Sequence, residues 1–183
     1  MGFKIKNQET NMEFLTLDEL KKIEDKVFDI ERMENIRKCF LFQCYTGLAY
    51  VDLEKLTKNN LVEKQGQLWI ESERTKTKVR ISVPLSNKAV DILKSFYEGK
   101  RLLPVPTNQR YNVYLKELAD TCQISKNLCT HTARRTAATS FLTKGVSIDV
   151  VSKLLSHKRI STTQIYAKVV DEKILNEFKK WND

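Results

Sequence analysis

The sequence predicts a mainly α-helical domain carrying a small antiparallel β-sheet, an α+β fold. Three observations lead there. Apolar residues recur at three- and four-residue spacing along most of the 183-residue chain. That period gives way to strict alternation around Val79, Ile81 and Val83, which interleave with Lys78, Arg80 and Ser82. The helical stretches are bounded by capping residues and glycines rather than by long loops.

Taken in order, residues 1–13 include Lys4, Lys6, Asn7, Gln8 and Glu9 and read as a polar leader or linker ahead of one domain over 14–183. Thr16-x-x-Glu19 is a capping box before Leu17, Leu20, Ile23 and Val27, which predicts a first helix near 17–29. A second helix is expected over 32–46, stopped by Gly47, with Met33, Ile36, Phe40 and Cys44 in one stripe. Arg37 falls inside that stripe, where a charge must find a partner or a ligand. Leu48 to Leu56 suggest a short helix, and Leu68, Trp69 and Ile70 begin a strand. Arg74-Thr75-Lys76-Thr77 forms a basic turn, and Pro84 ends the second strand. Ser86 caps a helix that turns Ala89, Val90, Leu93, Phe96 and Tyr97 inward. Residues 99–107 hold one glycine and two prolines and read as loop, followed by a helix over 109–121. Gly145 stops the helix that starts near His131, and Ser147 caps the next. Asp171 opens a last helix with Ile174, Leu175, Phe178 and Trp181 on one face.

Lys plus Arg outnumber Asp plus Glu by 32 to 23, and the net charge of +9 favours a polyanionic partner. The four cysteines, at 39, 44, 122 and 129, form no Cys-x-x-Cys pair, so neither a zinc ribbon nor a redox motif is indicated. Cys129, His131 and His157 lack the spacing of a metal set. Free thiols point to a reducing compartment. No apolar run approaches the length of a membrane span and no signal peptide opens the chain, so a cytoplasmic location is expected.

The chemistry concentrates between Cys129 and Val169, which holds both histidines, a paired arginine and Tyr166. His131 and Arg134 are three residues apart and share a helix face, whereas Arg135 points elsewhere. A tyrosine oxygen can attack a phosphodiester. Arginine matches phosphate bidentately and stays charged at any working pH. Histidines move protons near neutrality.

His131-x-x-Arg134, Leu154-Leu155-Ser156-His157 and Thr162-Thr163-Gln164-x-Tyr166, in that order, resemble the catalytic boxes of the tyrosine recombinases, the integrases of phages and mobile elements. The family usually has Leu-Gly-His where this chain has Leu155-Ser156-His157. Thr46-Gly47-Leu48 resembles the family's first arginine box, but the arginine position holds Ala49, and Asp52-Leu53 stands where Glu-Leu is usual. The basic turn before Val83-Pro84-Leu85 is similar to the hairpin that carries the family's lysine. Lys76, eight residues before Pro84, fits that place best, with Lys78 as the runner-up.

The resemblance covers about residues 14–170 and implies a catalytic-domain fold and a role for each matched residue. Tyr166 would attack the scissile phosphate to give a 3′-phosphotyrosine. Arg134 would hold the non-bridging oxygens, His131 would be the general base, His157 would donate a hydrogen bond to the phosphate, and Lys76 would protonate the departing 5′ oxygen. The implied reaction is site-specific DNA recombination or integration and needs neither a metal nor a nucleotide cofactor. The expected partner is double-stranded DNA, contacted by Arg74, Lys78, Arg80, Arg135 and Lys158. Family members normally carry a further N-terminal DNA-binding domain, so the chain is expected to be a fragment. They also assemble on DNA, so the last helix, 171–183, either packs on its own domain or docks on a neighbouring copy. Ala49 leaves three readings open: another arginine substitutes, the site is weak, or a partner supplies the charge. Arg37 is the substitute this sequence suggests, as the basic residue on the inward stripe of its helix. The rival functions are a DNA-binding module of the same fold that has lost turnover, and a type IB topoisomerase.

Overall fold

The computed structural model describes residues 12–96 and 101–182, the side chains of 172–177 and 179–182 aside. Its centre is helix α2, Glu31–Thr46, which is buried on nearly every side through Met33, Ile36, Cys39, Phe40, Leu41, Phe42, Gln43 and Cys44. The single apolar stripe expected of it is therefore too narrow. The C-terminal half of α2, residues 39–44, is buried all round, as befits the middle of a bundle, and α2 is packed by α1, Leu17–Asp25, by α4, Asn87–Lys94, by α5, Asn108–Thr121, and by α6, Thr130–Thr143.

The capping box at Thr16 and Glu19 forms as expected. Helix α1 stops at Asp25, however, four residues before the sequence suggested, and leaves Val27 75% exposed. Leu15, just upstream, is buried and donates its amide to Thr136 Oγ1 on α6 at 2.9 Å, tying the start of the described chain to the helix that bears the arginine pair. The short helix after Gly47 is only Tyr50–Leu53, α3.

The sheet has three strands in the order β1-β2-β3, all antiparallel: β1 is Leu61–Lys64, β2 Gln67–Glu73 and β3 Arg80–Pro84. The first strand was not anticipated. It is joined to β2 by Gln65 and Gly66, with φ of 51° and 72°. Positive φ at both central residues marks the tight hairpin turn whose twist matches that of its strands. Pro84 does not merely end β3 but pairs with Trp69 at its last position.

Helix α7, Ile148–Leu154, follows Gly145, whose φ is 83°. The chain then enters α8, Ser161–Asn182, one uninterrupted helix. Asp171 thus lies inside α8 rather than opening a separate helix. The side chains of Ile174, Leu175 and Trp181, and the whole of Tyr97, lie outside the described residues. Phe178 is 54% exposed. A small second core of Ala138, Val151, Leu155 and Tyr166 forms where α6, α7 and α8 meet, with Met12 and Phe141 packed against it.

Gly47 fixes how closely α2 approaches that second core. Its φ is 70°, and a Cβ there would lie 2.5 Å from Leu155 Cδ2 and 3.4 Å from Ala137 Cβ. Gly47→Ala combines left-handed strain with overpacking. It is expected to lower stability by about 2–4 kcal/mol, read by denaturant unfolding.

Candidate active site

Side chains from four parts of the chain converge at the junction of α6, α7, α8 and the β2–β3 turn. Arg134 comes from the second turn of α6. Its Nη1 donates to the Gly47 carbonyl at 2.5 Å, and its Nη2 donates to the Leu155 carbonyl. The guanidinium is thereby fixed between the C-terminal ends of α2 and α7. Burial, and next the neighbouring Arg74 guanidinium, lower its pKa to about 10, while Tyr166 and Asp52 act in the opposite direction. It stays charged at neutral pH.

His157 is delivered by the reversal that ends α7. Ser156 adopts φ of 51°, the left-handed region where glycine carries no penalty. That is the physical reason for the family's glycine at this place, and here a serine takes the strain. His157 is half-buried, and its Nδ1 lies 2.8 Å from Thr163 Oγ1. Its ring stands parallel to that of Tyr166, with centroids 6.4 Å apart and 13° between the planes. Burial, then the charges of Arg134 and Arg74, depress its pKa to about 4, so the imidazole is neutral at pH 7. Tyr166 is 8% exposed and sits on α8 against Ala138, Val151 and Leu155.

Arg74 is the residue the sequence undervalued. It follows β2 directly, and its side chain is 15% exposed rather than solvated. Nη1 donates to the Ser156 carbonyl at 3.4 Å, and Nε lies 3.5 Å from Asp52 Oδ2 with no hydrogen-bond partner among the described residues. Its charge acts on both Arg134 and His157. Asp52, buried on α3, accepts the Thr75 amide through Oδ1 at 2.9 Å. One carboxylate therefore anchors the base of the hairpin turn and offsets one of two neighbouring guanidiniums. The only sequence signal was Asp52 itself, a carboxylate between Val51 and Leu53 that requires a cation once buried. Nothing in one sequence says that the cation lies 22 positions downstream.

Arg37 is not part of this cluster, which corrects the substitution expected from its helical stripe. Its Nε and Nη2 form a fork on Glu34 at 2.9 and 2.5 Å, and Nη1 donates to the carbonyls of Ile23 and Glu24 at 3.2 and 3.0 Å. The inward charge found its partner one helical turn away, on its own helix, and locks α1 to α2. Arg37 instead lines an open cleft with Lys21, Glu24, Tyr45 and Lys88.

None of the other sequence-derived residues hydrogen-bonds or pairs with the cluster among the described residues. His131 is exposed on the first turn of α6 and has no hydrogen-bond partner among the described residues. Lys76 is exposed in the turn that Asp52 anchors. Lys78, with φ of 57°, lies 3.4 Å from Glu73, and Arg80 pairs with Glu71 at 2.9 Å. Arg135 is half-buried and Lys158 exposed.

The fold and this constellation define a catalytic domain of the tyrosine recombinase type, and comparison with known proteins agrees. The chain belongs to the phage integrase family, whose profile matches residues 13–173. It is 31% identical over 179 residues to a tyrosine recombinase of Thermosipho africanus, covering 92% of this chain and 61% of that protein. The chain thus spans about three-fifths of that relative's length. Among solved structures, the XerH site-specific recombinase bound to palindromic difH substrate superposes with a TM-score of 0.75 at 17% identity, over 94% of this chain and 54% of that one. The catalytic domain of bacteriophage HP1 integrase gives 0.67 at 22% identity, over 92% and 94%.

Proposed function

We propose that the chain is the catalytic domain of a site-specific DNA recombinase that cleaves and rejoins DNA through a 3′-phosphotyrosine. One observation supports this above the rest. Two guanidiniums, Arg134 and Arg74, meet beside a neutral imidazole and a tyrosine, with Asp52 the one carboxylate among them in the described residues. The cluster carries a surplus positive charge in a largely buried place, and a phosphodiester both balances that charge and presents phosphorus to Tyr166.

In this reading the Tyr166 oxygen attacks phosphorus and its proton passes to His131. The phosphorus–O5′ bond breaks, and Lys76 protonates the departing oxygen. Arg134 and Arg74 neutralise the two non-bridging oxygens as the five-coordinate state forms, with His157 donating a third hydrogen bond. Arg74 takes the part that Ala49 leaves unfilled, which removes the chief ground for an inactive module. The ester to Tyr166 conserves the bond energy, so a second strand's 5′ hydroxyl can reverse the step.

Double-stranded DNA is the proposed partner, with Lys78, Arg80, Arg135 and Lys158 at its backbone. Copies assemble on it, and the C-terminal part of α8 is their point of contact. The described cysteines are all unpaired, in keeping with a cytoplasmic setting. The test is a nicked duplex carrying the recombination site, in which cleavage releases a short fragment and traps the protein. Covalent attachment at residue 166 supports the reading, and binding without attachment contradicts it.

A further inference from the structure

The Ser161-Thr162-Thr163 run looks like helix capping, yet the Thr163 hydroxyl does something else. Thr163 is wholly buried, and Oγ1 contacts His157 Nδ1 at 2.8 Å. Other helical threonines spend their hydroxyl proton on the carbonyl four residues back: Thr46 on Phe42, Thr121 on Glu117, Thr136 on Thr132 and Thr139 on Arg135, at 2.8 to 3.0 Å. Thr163 is the third residue of α8, so the carbonyl four back belongs to Arg159, outside the helix. The Ile160 carbonyl already receives the amides of Thr163 and Gln164. Among the described residues, His157 is the hydrogen-bond partner of this hydroxyl.

We infer that Thr163 is a positioning residue: it donates its hydroxyl proton to His157 Nδ1 and thereby keeps the single N–H proton of the neutral imidazole on Nε2. The opposite arrangement, Nδ1–H donating to Oγ1, would strand the threonine proton in a buried site with no acceptor. It would also turn Nε2 into an acceptor, which repels a phosphate oxygen. A neutral histidine can donate to an anion only from a protonated ring nitrogen, so the choice of tautomer decides whether His157 contributes. Thr163 and Tyr166 are three apart on α8 and share a face. The helix that presents the tyrosine therefore also sets the imidazole, and the two rings lie parallel.

The consequence for catalysis rests on the function proposed above; the tautomer does not. The chain has two histidines, so nitrogen NMR of uniformly labelled protein at pH 7.5 is simple to assign, using His157→Asn as the reference. The expected result is His157 with an unprotonated Nδ1 and a protonated Nε2. Thr163→Val, which keeps the shape without the hydroxyl, should shift His157 toward mixed tautomers and slow attachment to nicked DNA by about 10- to 100-fold at unchanged DNA affinity. Thr163→Ser should restore both. A wild-type His157 protonated on Nδ1, or on both nitrogens, overturns the inference without any variant. So does a Thr163→Val protein that cleaves at the wild-type rate, or one that loses cleavage with its tautomer unchanged. Should wild type form no adduct at all, the proposed function fails, while the NMR result still decides the tautomer.

Discussion

Tyr166→Phe is expected to abolish covalent attachment to DNA while leaving the fold and the affinity for DNA as they were. The ring supplies packing: it is 8% exposed and fills the small core with Ala138, Val151 and Leu155. Its hydroxyl makes no hydrogen bond among the described residues, so phenylalanine removes one oxygen and no hydrogen bond. Stability should change by no more than about 0.5 kcal/mol. Adduct formation should fall by at least about 10⁴-fold, because in the proposed mechanism the deleted atom is the one that bonds to phosphorus. Gel-resolved adduct on a nicked duplex, alongside a binding isotherm, separates these outcomes. A residual adduct near the wild-type level would mean that another nucleophile acts.

Arg134→Ala is expected to damage both chemistry and fold. The guanidinium is the donor for the Gly47 and Leu155 carbonyls. Each carbonyl left without a donor in a buried place costs roughly 1–3 kcal/mol, so a loss of roughly 2–6 kcal/mol in urea unfolding follows for the two. Removing the proposed transition-state contact should lower single-turnover cleavage by about 10²–10³-fold, measured at a temperature where the variant remains folded. Arg134→Lys should recover little of either effect, because one ammonium cannot span two carbonyls and a phosphate as a planar fork does. A variant that is destabilised yet cleaves within tenfold of wild type would assign Arg134 to the scaffold alone.

The parts of this site that are legible in the sequence are those fixed by local rules. Capping at Thr16 and Ser86, the stop at Gly47, and the helix bearing Arg134 depend on neighbours within a few residues. The ordered boxes at 131–134, 157 and 166 survive in the chain as a recognisable pattern. What stayed hidden depends on partners distant in sequence. Arg37 and Arg74 look alike to a pattern reader, one on an inward helical stripe and one in a basic turn. The helical wheel favoured Arg37, whose inward charge is met by Glu34, three residues away. Arg74 is drawn inward by Asp52, and that pairing exists only once α3 and the hairpin are folded together. Strand β1 escaped notice because four residues, of which Glu63 alone is exposed, carry too little alternation to stand out. The unbroken run of α8 past Asp171 was hidden by a residue that resembles a helix start but is tolerated within one.

The proposed phosphate-binding pair with Arg134 is completed by Arg74, not Arg37. This pairing is tested most directly by single-turnover attachment of Arg74→Ala and Arg37→Ala, side by side, to the same nicked duplex, with both confirmed folded by circular dichroism. Arg74→Ala is predicted to slow attachment by about 10²–10³-fold, and Arg37→Ala to stay within about threefold of wild type once the folded fraction is matched. Wild-type attachment by Arg74→Ala, or a collapse confined to a folded Arg37→Ala protein, would contradict the account.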